Sequence, residues 1–276
     1  MGNNTAACVH DIVQDGFCTN CKRSVNTQHE SYIPYHYPKK GLKYRPEYVG
    51  IIKRRVWEKS LKEKKLTLVL NLHDTLYDSR AVSSLSEKEK YLTESKCDDD
   101  MWLSKNGEVL YKLRPYARVF LREANKLFEM HVYESTCDDM VLSLLDPQGT
   151  YFGKRIIKNE SGFKNLDRVL ADERGVVILD DKSAYWWPDD RANLLQIRHY
   201  NYFKRCINKE TWVTKLVDLF KTRHQEFSYA EERGDEDAED GGLANALELL
   251  KEVHRRFFTE GDQDLSSRHV RAFLSF

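Results

Sequence analysis

Apolar residues in this chain fall into short unbroken runs separated by amphipathic stretches. Leu66–Leu72 is near-continuously apolar, as expected for a strand covered on both faces. Met130–Tyr133 and Val176–Leu179 predict two further buried strands. Pro115–Phe128 sets Phe120, Leu121, Ala124, Leu127 and Phe128 on one helical face, with the proline near the first turn. Asp139–Leu145 predicts another helix, stopped by Asp146-Pro147, and Gly149–Ile157 suggests a hairpin. Strands alternating with helices imply an α/β fold with a mainly parallel sheet flanked by helices. Ligands then sit at the C-terminal ends of the strands, where Asn71, Glu134 and Asp181 fall.

Four segments follow from the pattern. Residues 1–30 are small, polar and cysteine-containing. Residues 31–65 begin irregularly (Tyr32, Pro34, Tyr35, Tyr37, Pro38) and become a basic helix over Glu47–Lys64. Residues 66–205 are the α/β core, with an insert near 78–112 that carries Asp98-Asp99-Asp100. Residues 206–276 form a helical tail with an acidic, glycine-rich linker over 231–242. It closes with an amphipathic helix bearing Leu243, Leu247, Leu250, Val253 and Phe257, expected to pack on the core or to self-associate.

The 276 residues carry a formal net charge of zero, so no global field favours nucleic acid or membrane. No apolar run approaches the ~20 residues of a membrane span, and the N-terminus lacks the basic flank and apolar stretch of a signal peptide. Residues 39–65 hold eleven Lys/Arg against three Glu, a pattern read first as a solvated helix face and only second as a contact for phosphorylated peptide or RNA. Six cysteines without a secretion signal point to reduced thiols. Cys8, His10, Cys18 and Cys21 have the spacing of a tetrahedral zinc site. The alternative is ordinary free thiols. Cys97, Cys137 and Cys206 are scattered.

The first strand runs into Asn71-Leu72-His73-Asp74-Thr75-Leu76. Further phrases are Lys112–Pro115, Leu144–Gly149, Lys164–Asp167, Val176–Asp181 and Trp187-Pro188. Together with Cys18–Cys21 and the helix near 243–258, they resemble the FCP-type phosphatases of the haloacid dehalogenase superfamily, most of all plant members. Those enzymes remove phosphate from the C-terminal repeats of RNA polymerase II. The resemblance implies a haloacid-dehalogenase-like α/β fold, Mg²⁺ dependence, the polymerase repeat or associated transcription proteins as partners, and a nuclear location. Larger relatives carry a BRCT domain after the last helix, which this sequence is expected to lack.

In that family the turn reads Asp-x-Asp-x-Thr. The first Asp is the nucleophile and the second the general acid. Here Asn71 and His73 hold those places, while Thr75 is kept. Asp74 does not restore the motif in a shifted register. The Thr or Ser that binds the phosphoryl group corresponds to Glu134, with Ser135 as a substitute if the turn shifts by one residue. Lys164 matches the neutralising lysine, Asp181 the Mg²⁺ ligand and Asp180 its neighbour. Arg114 is placed either in the substrate groove or at a helix start. Asn71 supplies neither nucleophile nor charge, so the sequence predicts a catalytically impaired member that binds the family's partners. The alternative is a weakly active, Mg²⁺-dependent phosphoserine phosphatase using His73.

Overall fold

A computed structural model describes residues 8–27, 32–35, 37, 39–94, 99–134, 139–159, 162–204, 228–260 and 264–274. The chain opens with short strands β1 (Ile12–Gln14), β2 (Phe17–Cys18), β3 (Ile33–Tyr35) and β4 (Leu42–Tyr44). They form one antiparallel sheet in the order β2-β1-β4-β3. Asp15-Gly16 makes the β1–β2 turn, both with positive φ (50° and 84°), as a tight hairpin requires. Because β1 pairs with β4, a boundary at residue 30 does not divide the structure: the two N-terminal segments share a sheet. Helix α1 (Pro46–Glu63) follows, with proline in its first turn and Lys64 in a left-handed C-cap. Its Arg54, Arg55 and Lys59 are exposed, while Trp57 is buried. Gly175 is required opposite: a Cβ there would lie 2.5 Å from the Trp57 ring.

The central sheet begins with β5 (Leu66–Leu70). The insert is a separate antiparallel sheet of β6 (Tyr77–Ala81), β7 (Met101–Leu103) and β8 (Val109–Leu113), in the order β6-β8-β7. Helix α2 (Ala117–Leu127) starts two residues later than the proline suggested, because Tyr116 takes a left-handed conformation (φ 70°) before it. Then come β9 (Phe128–Glu134), α3 (Asp139–Leu145), β10 (Ile156–Lys158), β11 (Val176–Asp180) and β12 (Leu194–Gln196). The central sheet is parallel throughout, in the order β10-β9-β5-β11-β12. Alternate residues of β5 and β11 enter different cores. Leu66, Leu68, Leu70, Val177 and Leu179 pack with α2 and with α4 (Gly242–Thr259), whereas Val69, Val176 and Ile178 pack with Tyr35, Tyr37, Tyr44 and Trp186. Both faces are covered, so the strands read as unbroken apolar runs.

The hairpin expected over 149–157 is absent. The Asp146 carboxylate accepts hydrogen bonds from the backbone N–H groups of Thr150, Tyr151 and Phe152 at 2.7, 2.9 and 2.8 Å. This ties the segment into a loop, and the chain re-enters the sheet parallel to β9 as β10. The acidic stretch before α4 is not a free linker. Glu231 meets Lys204, Asp235 meets Lys112, and Glu236 meets Arg114. These pairs strap α4 to the core. Among the described residues no helix is long and apolar enough to cross a membrane.

Candidate active site

At the end of β5 the Asn71 N–H donates to Leu179 O on β11 at 3.0 Å, and Thr75, Leu76 and Tyr77 all donate to Leu72 O. This tight turn holds Asn71 nearly buried, at 7% exposure. Its carboxamide is saturated on both sides. The oxygen accepts from Lys164 Nζ at 2.8 Å. The nitrogen donates to His73 O at 2.6 Å, Thr75 Oγ1 at 3.1 Å and Asp181 Oδ1 at 3.1 Å. An ammonium on one side and a carboxylate on the other fix which amide atom faces which partner.

Lys164 is placed by a bridge to the Trp186 segment, with Lys164 N donating to Tyr185 O and Trp187 N to Lys164 O. Its ammonium also donates to Asp180 Oδ2 at 2.8 Å, and Trp186 Nε1 donates to the same oxygen at 2.8 Å. Asp180 Oδ1 accepts from Lys182 N. Asp180 is therefore a partner of Lys164 and Trp186, with both oxygens engaged, rather than a cation ligand.

Glu134, at the end of β9, points back over the turn. Its Oε2 accepts from Leu72 N at 3.3 Å and His73 N at 3.1 Å. Consecutive N–H groups in a turn form an anion cradle, and here the chain's own carboxylate fills it. Ser135 lies outside the described residues, as do Cys97, Cys137 and Cys206.

The structure brings in three groups that no motif reading singled out for the site. Asp74, buried in a left-handed conformation (φ 63°), meets His73 Nδ1 at 3.1 Å and Lys182 Nζ at 2.6 Å. His199 Nδ1 lies 2.6 Å from Asp181 Oδ2, and Lys182 Nζ lies 3.5 Å from that oxygen. Asp74 lies inside the motif turn but matched none of the family's acidic positions; for Lys182 the only signal was its position directly after the Asp180-Asp181 pair. His199 comes from the loop after β12 and carries no local signature.

Two titrations are shifted. Burial opposes the charged form of Asp181, but the His199 hydrogen bond and the neighbouring Lys182 outweigh it and hold the carboxyl below its ordinary range. Burial likewise lowers His73, yet the Asp74 hydrogen bond, aided by the charges of Asp74, Asp78 and Glu134, leaves its pKa raised. His73 Nε2 faces Ser79 Oγ at 3.1 Å.

Mg²⁺ does not fit this donor set. The oxygens it would need, His73 O, Thr75 Oγ1 and Asp181 Oδ1, are those the Asn71 N–H₂ group addresses. The other potential oxygens, Asp74 Oδ2 and Asp181 Oδ2, face the Lys182 ammonium and His199. A hard cation seeks six oxygens; here amide hydrogens and an ammonium already occupy them. Among the described residues, the group at the end of β5 where the resemblance places the nucleophile is Asn71, whose oxygen is neutral and turned to Lys164.

Arg114 lies elsewhere. Its guanidinium is fully buried, gripping Glu236 through two 2.7 Å hydrogen bonds and donating to Thr75 O and Arg198 O. It anchors the acidic strap and does not line a phosphate groove. A Cβ on Gly242 would lie 2.1 Å from Arg114 Nη2, so that helix start must be glycine. Cys8, His10, Cys18 and Cys21 do converge, in a separate cluster on the N-terminal sheet.

Comparison with known proteins identifies the family and the fold. A family model described as NLI interacting factor-like phosphatase matches residues 66–230. The chain is 30% identical to RNA polymerase II C-terminal domain phosphatase-like 4 of Arabidopsis thaliana, over 97% of this chain and 61% of that protein. It is 28% identical to RNA polymerase II C-terminal domain phosphatase-like 3 of the same plant, over 75% of this chain and 17% of that one. The chain thus spans under two thirds of either relative. The solved structure of Fcp1, an essential RNA polymerase II CTD phosphatase, superposes with a TM-score of 0.58 at 18% identity, covering 81% of this chain and 73% of that one. A fission yeast CTD phosphatase bound to beryllium fluoride gives 0.57, also at 18% identity and with the same coverage. These likenesses establish a haloacid-dehalogenase-like fold. With the family model matching more than half its length, the chain belongs to the NLI interacting factor-like phosphatases.

Proposed function

We propose that this chain is a catalytically impaired member of its family: a non-catalytic binder of the RNA polymerase II C-terminal repeat or of transcription proteins associated with it, acting in the nucleus. One observation carries the reading. The Asn71 carboxamide satisfies the groups that nucleophile and cation would need, while Glu134 fills the turn's anion cradle. Phosphoryl transfer needs an activated nucleophile or water and an open place for the phosphoryl oxygens; the neutral, hydrogen-bonded Asn71 and the Glu134-filled cradle support the reading that this chain lacks both. A surface for an extended peptide remains. Phe163, Tyr185 and Trp187 are exposed at 58, 54 and 54% on the two segments joined by the Lys164–Trp186 bridge. Aromatic rims of this kind suit extended, proline-containing peptides.

The test is phosphate release from a phosphoserine repeat peptide with Mg²⁺, comparing the natural chain with Asn71→Asp/His73→Asp/Glu134→Thr. The natural chain is expected at background and the triple variant to exceed it on the order of 10³-fold, within the range general acid–base groups contribute. Turnover by the natural chain that Asp181→Ala abolishes would sink the proposal. So would the absence of repeat-peptide binding, phosphorylated or not, by fluorescence anisotropy.

A further inference from the structure

The N-terminal cluster carries a site that the phosphatase fold does not need. Cys8 Sγ and Cys18 Sγ stand 3.7 Å apart, and Cys21 Sγ stands 3.4 Å from His10 Nδ1. All four ligand atoms lie within 4.8 Å of one another. A disulfide would bring two sulfurs to about 2.05 Å, and these cysteines are free. Tetrahedral zinc, with bonds of about 2.3 Å to sulfur and about 2.0–2.1 Å to nitrogen, sets S···S near about 3.8 Å and S···N near about 3.6 Å. The two closest pairs sit near those values, and all four atoms converge on one point.

The backbone supports the same ligand. Cys18 N donates to Arg23 O at 2.9 Å, holding the Cys18–Cys21 turn against the segment that follows it. Lys22 N donates to Cys18 O, closing the turn, and Lys22 itself is left-handed (φ 62°), as is His10 (φ 55°). Left-handed backbone at non-glycine residues persists where the surroundings over-determine it. Strands of two and three residues, with Val9 and Phe17 exposed at 58 and 56%, bury too little apolar surface to do so unaided.

We infer that Cys8, His10, Cys18 and Cys21 bind one structural Zn²⁺, clamping the β1–β2 hairpin. Three thiolates and an imidazole select zinc over harder cations. Four protein ligands close the coordination sphere, so the site is structural and not catalytic. Binding releases the thiol protons and leaves a net negative centre beside Lys22 and Arg23.

The full chain, purified from zinc-supplemented medium, is expected to carry one zinc per chain by mass spectrometry of the metal. Exchange with Co²⁺ is expected to give tetrahedral ligand-field bands and a strong thiolate charge-transfer band. Cys18→Ser and Cys21→Ser lose both signatures, while Cys97→Ser/Cys137→Ser/Cys206→Ser keeps them. Chelation opens residues 8–27 to protease while the α/β core stays resistant. Zinc-free natural protein whose Co²⁺ spectrum lacks the thiolate band overturns the inference. Full zinc retention by Cys18→Ser/Cys21→Ser does the same. If those variants fail to fold, the Co²⁺ spectrum of the natural chain decides.

Discussion

At the N-terminal sheet, three sulfurs and an imidazole nitrogen face one another, with close pairs at 3.4 and 3.7 Å and no cationic group of the described residues between them. At the end of β5, by contrast, each acceptor meets a donor the chain itself supplies: Lys164 for Asn71 and Asp180, the Asn71 amide for Asp181, Lys182 for Asp74, and two backbone N–H groups for Glu134. The inferred zinc would complete the first cluster, whereas the second already pairs its carboxylates with the chain's own donors. The proposed difference in metal requirement therefore rests less on how many ligand-type residues converge than on whether donors and acceptors already cancel. In the proposed reading, the second cluster keeps a strand-end site whose charges are balanced by the chain's own parts.

The largest effect expected from breaking this contrast comes from Lys164→Met. Asp180 is 1% exposed and would keep only Trp186 Nε1 and the Lys182 N–H. Stranding a buried carboxylate in this way costs about 3–5 kcal/mol, read as a lower urea midpoint. A nearly neutral Lys164→Met would mean that the network is not what holds the strand ends together.

A Mg²⁺ titration sharpens the contrast. Mg²⁺ should leave the unfolding midpoint of the natural chain unmoved. Asn71→Asp/His73→Asp/Glu134→Thr should gain about 2.7 kcal/mol when Mg²⁺ is a hundredfold above its Kd. Equal stabilisation of both proteins would contradict the role of Asn71 as a group that replaces the cation.

The smallest effect concerns His73, whose folded pKa is raised through Asp74 despite its burial. Its contribution is fully present below the unfolded value, about 6.5, and is lost as pH rises through the folded value. His73→Gln should therefore lower stability more at about pH 5.5 than at about pH 8.5. Because His73 is partly exposed, the difference is about 0.2–1 kcal/mol, the range for screened pairs. An equal loss at both pH values would mean that the Asp74 pair contributes no charge interaction.

Much of the fold was legible because apolar runs and helical periodicity are local signals. The three central strands, α1, α3 and the buried face of α4 follow from them. The false hairpin over 149–157 came from treating Gly149 as a turn without knowing that Asp146 would bind three backbone N–H groups ahead of it. The acidic linker looked free because its partners, Lys112, Arg114 and Lys204, lie far back in the chain.

Local periodicity suffices for the parallel α/β core and for Asn71, Glu134 and Asp181 as strand-end residues; the family and the place of His73 came from the resemblance of the sequence motifs. Residue type and spacing suffice for the Cys/His set of the N-terminal cluster. A linear string records all of these directly. How the same residues are used was settled by folding. Folding turned the Asn71 amide toward Asp181, brought Lys182 and His199 to neighbouring carboxylates, laid Glu134 on the turn, and committed Arg114 to the acidic strap. Whether a polar group is free to act depends on what lies across from it, and those neighbours arrive from distant parts of the chain.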